Sequence, residues 1–115
     1  MKKLVFFHAL LIAVVMLVSC SSTSGDFISA YEDATEELKT ANSNEDCDRI
    51  HDKLMHRLYE VTQADENWAE ALADEDVMNA YNAWNEALKN TTTGYHYMGM
   101  VFCTPQYAIE YCQGK

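Results

Sequence analysis

The side chains best suited to chemistry lie late in the chain. His96-Tyr97-Met98-Gly99-Met100 is followed by Cys103, which brings an imidazole, two thioethers and a thiol into one short stretch. Soft ligands at that spacing suit Cu(I). The same residues have a plainer use, because Met and aromatic side chains in a tail that folds onto helices also fill gaps in the core. Cys47 and His51, four apart, would share a helix face and form half of a zinc site, but no Cys-x-x-Cys pair completes it. There is no Cys-x-x-Cys-His haem attachment, and His51, His56 and His96 are expected to be solvated or hydrogen-bonded. Catalysis has no equivalent starting point. Asp and Glu are abundant, yet no spacing singles out a pair. Gly-rich phosphate loops, Gly-x-Ser-x-Gly, His-Glu-x-x-His and EF-hand patterns do not occur. Asp74-Glu75-Asp76 lacks the following Gly and the distant Glu of a calcium loop and reads as a helix start. The chain is therefore expected to be no enzyme and to need no cofactor.

Where these groups act depends on the first twenty residues. Lys2 and Lys3 give a cationic start, and Leu4 to Val18 is apolar apart from His8. As a helix that run would reach roughly 22 Å at about 1.5 Å per residue, short of the roughly 30 Å of a bilayer core. A positive start, a short apolar run and a small residue before a cut form a secretory signal. Leu17-Val18-Ser19-Cys20 resembles the bacterial lipobox, an aliphatic residue, a tolerant position, a small residue and Cys. The resemblance covers the leader alone. It implies that the chain is a lipoprotein precursor, that residues 1–19 are removed and that Cys20 becomes the lipidated N-terminus. Diacyl attachment gives stable membrane anchoring. Ser21-Ser22-Thr23-Ser24-Gly25 has the composition of a flexible linker. Ser21 after the Cys suits outer-membrane sorting in an enteric-type envelope.

Lipidation of Cys20 would leave Cys47, Cys103 and Cys112 in an oxidising compartment. Three thiols permit one bridge, with three pairings. If Pro105 to Cys112 is helical, Cys103 and Cys112 stand about 12 Å apart, too far for a bridge that needs Cα atoms within about 6.8 Å. Cys47 is then the common partner. An up-down bundle would place Cys47 and Cys103 at the same end, so Cys47–Cys103 is the favoured bridge and Cys112 the thiol left over. Three reduced thiols are the alternative.

The net charge is −10, and removing Lys2 and Lys3 with the leader takes it to −12. Such an excess disfavours nucleic acid and anionic headgroups and suits a basic partner. What remains, residues 26–115 behind a lipidated Cys and linker at 20–25, is one small domain. Gly and Pro are scarce and no run alternates at period two, so the expected class is all-α.

Four helical segments follow from the spacing. The first runs from about Asp26 to Ala41 behind Ser24, with Phe27, Ile28, Tyr31, Ala34, Leu38 and Ala41 on one face. The second runs from about Asn44 to Ala64, with Ser43 and Asp46 in capping-box form and a stripe of Cys47, Ile50, Leu54, Leu58 and Val61. In the third, Trp68, Ala71 and Leu72 share one face and Val77, Tyr81, Trp84 and Leu88 another. The five-residue step from Leu72 to Val77 predicts a kink at 74–76, then helix to Lys89. Asn90 to Gly94 reads as a loop. The tail from Tyr95 to Cys112 reads as helix in two pieces, with Thr104-Pro105 as cap and first residue of the second. The architecture is then a small antiparallel bundle of about four helices.

Two functions compete. The first is a lipid-anchored protein-interaction module of the bacterial cell envelope, on the periplasmic or surface side of the outer membrane. It would act as an inhibitor or immunity-type binder of a basic envelope protein. The second is metal binding through His96, Met98 and Met100, a cluster that loosely resembles those of envelope copper-handling proteins.

Overall fold

The computed structural model describes residues 22–91 and 103–114. Every regular element among them is helical, so the expected all-α class holds. Helix α1 spans Thr23–Leu38, α2 Asn44–Ala64, α3 Glu75–Asn90 and α4 Pro105–Gln113, with a 3₁₀ turn at Trp68–Ala73 between α2 and α3.

α1 starts earlier than its apolar spacing suggests. Ser22 is the cap, and its hydroxyl accepts from the Gly25 amide at 2.8 Å. Ser and Gly that suit a flexible linker thus form a first helical turn. A Cβ at position 25 would stand 2.6 Å from the Ser22 Oγ, so glycine is what lets the cap close in. α1 also ends earlier, at Leu38. The amides of Lys39, Thr40 and Ala41 bond three residues back, which tightens the chain out of the α-helix.

α2 has the expected bounds. The Ser43 hydroxyl accepts from the Asp46 amide at 3.1 Å, while the Asp46 carboxylate accepts from the Asn42 amide at 3.0 Å. That second bond is the main reason the Asp46 carboxyl is held below the usual carboxylate range. The phase slip after Leu72 is the 3₁₀ turn, closed where the Asp74 carboxylate caps α3 by accepting from the Asp76 amide at 2.8 Å. Thr104 and Pro105 start α4 as expected, with the Thr104 hydroxyl accepting from Tyr107 at 3.1 Å.

α1 and α2 are antiparallel. Thr23 bonds Asp65 at 2.6 Å, Asp33 pairs with Arg57 at 2.6 Å and Glu37 with Lys53 at 2.8 Å, so the partners run in opposite directions. α3 follows α1 in the same sense, since Ser22 to Ser24 lie beside Asn67 to Asp74 while Thr35 and Glu36 lie beside Ala80 and Ala83. α1 therefore packs against both neighbours, and α2 carries α4 on another side. That second contact widens the buried arc of α2. Besides Cys47, Ile50, Leu54 and Leu58 it includes His51, Met55 and Thr62, whereas Val61 is only half-buried. Met55 and His51 face α4, where the Cys112 thiol meets the Met55 carbonyl and the Tyr111 ring stands edge-on to His51. Phe27, Tyr31, Leu38 and Trp84 complete the core, each at most 2% exposed. Burying side chains of this kind stabilises by about 1.5–3 kcal/mol apiece relative to leaving them in water.

The favoured Cys47–Cys103 bridge is not formed. Both residues are buried, but no two of Cys47, Cys103 and Cys112 are bonded. Cys47 lies in the first turn of α2. Cys103 lies where α4 begins, under Tyr31 and Trp84, which are mid-helix residues of α1 and α3. The final helix starts halfway along the bundle, and the assumption that placed the two thiols at one end fails there.

Candidate functional site

An apolar concavity lies where α1, the 3₁₀ turn, α3 and the start of α4 converge. Tyr31, Leu72, Val77, Met78, Tyr81, Thr104 and Pro105 line a groove of about 110 Å³. Ligand pockets usually hold about 300–1,000 Å³, so this one has room for no more than a side chain or two. Each element contributes for a local reason. The 3₁₀ turn lifts Leu72 to 37% exposure, and the Asp74 cap starts α3 so that Val77 points inward while Met78 stays 49% exposed. The Tyr31 hydroxyl donates to the Cys103 carbonyl at 2.6 Å and fixes the start of α4. The Tyr81 ring meets Tyr31 edge-on, with centroids 5.7 Å apart.

The groove floor stays neutral. Burial lifts the Tyr31 phenol well above its ordinary range, helped by Cys103 and Tyr81. Burial also pushes the Cys103 thiol up to about 12, against a smaller opposing effect of a hydrogen bond with the Trp84 indole.

The surface beside the groove is anionic. Among the described residues every Lys and Arg has an acidic neighbour: Lys39–Glu36 at 2.9 Å, Arg49–Asp46 at 3.8 Å, Lys53–Glu37 at 2.8 Å, Arg57–Asp33 at 2.6 Å and Lys89–Glu86 at 3.6 Å. No Lys or Arg occurs between Arg57 and Lys89. Asp65, Glu66, Glu70, Asp74, Glu75 and Asp76 fall in that interval, and among the described residues none of them is in an ion pair. Asp65 is held below the usual carboxylate range by the Thr23 hydroxyl first and the Asn67 amide second, so it remains an anion. The turn that exposes Leu72 therefore also carries uncompensated negative charge.

A second constellation lies on the seam between α2 and α4. The Tyr111 hydroxyl donates to Asp52 Oδ1 at 2.8 Å, and His56 Nε2 stands 3.6 Å from the same oxygen. On the other edge of the imidazole, Nδ1 lies 3.6 Å from Cys112 Sγ. From the sequence alone His56 reads as solvated or hydrogen-bonded and Cys112 as the thiol without a bridge. The Asp52/His56 spacing of four was a visible signal. Cys112 joins them only because α4 docks on α2, which no local spacing announces.

Cys47 and Cys103, expected as partners, remain apart as described. Cys20, His96, Met98 and Met100 lie outside the described residues. Cys47 and His51 share a buried face of α2, but among the described residues no three or more His, Cys, Asp or Glu side chains converge to hold a metal ion. Among the same residues no helix is long and apolar enough to cross a membrane. No protein-family model, curated protein or solved structure matches the chain.

Proposed function

We propose that this chain is a lipid-anchored envelope protein whose helical domain binds a basic protein partner, in the manner of an inhibitor or immunity-type binder. The observation that carries the reading is the apolar groove with Leu72 and Met78 exposed beside an acidic turn that has no cation of its own. A partner loop bearing an apolar side chain flanked by Lys or Arg satisfies both halves of that surface. Opposite charges steer the encounter, and the apolar anchor slows release. The lipobox resemblance at Leu17-Val18-Ser19-Cys20 supports attachment through Cys20, which would hold the surface close to a membrane.

The test is affinity capture from envelope extract on the immobilised protein, with Met78→Lys and the pair Glu70→Lys, Glu75→Lys alongside. The expected result is a basic protein retained in dilute salt, released as salt rises, and lost with either variant. Retention of the same proteins by Met78→Lys, or elution indifferent to salt, would end the proposal.

A further inference from the structure

We propose that Cys112 is a reactive thiol, with His56 as its base and Asp52 as the residue that positions His56, and that it takes up small organic disulfides as mixed disulfides. This rests on the α2–α4 seam and is independent of the groove.

The three thiols of the described domain differ sharply in what they can do. The thiolate is the nucleophile in thiol chemistry. Cys47 and Cys103 are buried, while Cys112 is half-buried and reachable from solvent. Burial holds Cys103 protonated, whereas the Cys112 sulfur lies between the Met55 carbonyl at 3.8 Å and an imidazole nitrogen at 3.6 Å. Such contacts run longer than about 3.2 Å in unliganded sites and tighten on reaction. On the far edge of the ring the Asp52 carboxylate stands 3.6 Å from Nε2. Thiol, imidazole and carboxylate thus follow one another in the order that lets a base accept a proton and an anion steady the resulting imidazolium. The Tyr111 hydroxyl, at 2.8 Å, holds that carboxylate oxygen in place. Among the described residues, the titratable groups facing His56 are Asp52 from its own helix and Tyr111 and Cys112 from α4, with His51 edge-on to Tyr111 behind them.

The exchange step balances without a separate oxidant. His56 Nδ1 accepts the Cys112 proton. The thiolate attacks one sulfur of the disulfide, a bond to Cys112 Sγ forms, and the original sulfur–sulfur bond breaks. The expelled thiolate takes the proton from His56 and leaves as a thiol. One disulfide replaces another.

The experiment treats the full-chain protein with 2-hydroxyethyl disulfide from pH 5 to pH 9, with intact mass and peptide mapping as readouts. Mapping reads any adduct on Cys20 separately. The expected adduct forms at Cys112 at least about tenfold faster than at Cys47 or Cys103, because both of those are buried. Its rate rises with pH below the ordinary thiol range near about 8.5. His56→Gln moves the rise to the ordinary range. At about pH 6 it slows the reaction severalfold, because the lost thiolate fraction outweighs the gain in intrinsic nucleophilicity. Asp52→Asn shifts the profile the same way by less. In strong urea all versions react alike, which separates the effect of His56 from unfolding. If His56→Gln does not fold by circular dichroism, the shift in Asp52→Asn decides. A contact that merely pins α4 would leave the profile unmoved, and coincident profiles, or faster labelling of Cys47 or Cys103, overturn the proposal.

Discussion

Replacing Tyr31 with Phe removes one oxygen and tests what holds the last helix to the rest. The ring keeps its place against Tyr81, so little packing is lost. What changes is the Cys103 carbonyl, which accepts the Tyr31 hydroxyl at 2.6 Å in a site where Cys103 is 2% exposed. Leaving a buried acceptor unsatisfied costs about 1–3 kcal/mol. In a domain of this size each kcal/mol moves the Tm by about 4–8 °C. The expected outcome is a fall of roughly 4 °C at the least, matched by a lower urea midpoint with an unchanged slope. Hydrogen exchange locates the effect. Amides of α4, such as Ala108, should lose more protection than those of α1 and α2, because the lost bond is the one between α1 and the residue that leads into α4. A Tm within about 2 °C of the parent, or protection lost evenly across all four helices, would refute the claim that this bond secures α4.

Three further outcomes follow. Stability should fall as pH rises above the ordinary thiol range: the unfolded chain ionises Cys103 there, while burial keeps it protonated up to about 12 in the folded protein. The folded state then binds more protons, and the slope is about 1.4 kcal/mol per pH unit. Tyr31 adds to the loss at still higher pH, and urea titrations of Cys103→Ala should show the thiol's share removed. Thr104→Ala deletes the cap that accepts from Tyr107 and should cost about 1 kcal/mol in the same assay. Arg57→Ala breaks the pair with Asp33 at 2.6 Å, but Asp33 is exposed, so thermal melts should register no more than about 1 kcal/mol.

Sequence spacing conveyed the helices better than their assembly. Ser43 before Asn44 and Thr104 before Pro105 mark starts whose chemistry is local, and both are where the residues put them. The five-residue step from Leu72 to Val77 marks a real interruption, the 3₁₀ turn. The start of α1 was hidden because Ser22 to Gly25 suits a linker and a capped first turn equally well. His51 and Met55 fall outside the stripe of a helix buried on one face, and α2 has neighbours on two sides. The favoured bridge failed for a related reason, since where α4 begins is a property of the whole bundle. The same docking that separates Cys103 from Cys47 brings Cys112 to His56. The groove was only partly visible: Val77 and Tyr81 were placed on one face, but Tyr31 and Pro105 reach it from distant parts of the chain.

The long reach between Tyr31 and Cys103 also sets an order of assembly. Their bond closes a separation of 72 residues, whereas the Asp33–Arg57 pair closes 24. Shorter loops close at lower entropic cost, and a chain made from its N-terminus has the near partners first. The α1–α2 hairpin is therefore expected to close first, and the nine-residue α4 to dock last on the surface it leaves. It should equally be the first piece to let go, opening and reclosing while the hairpin beneath it stays folded.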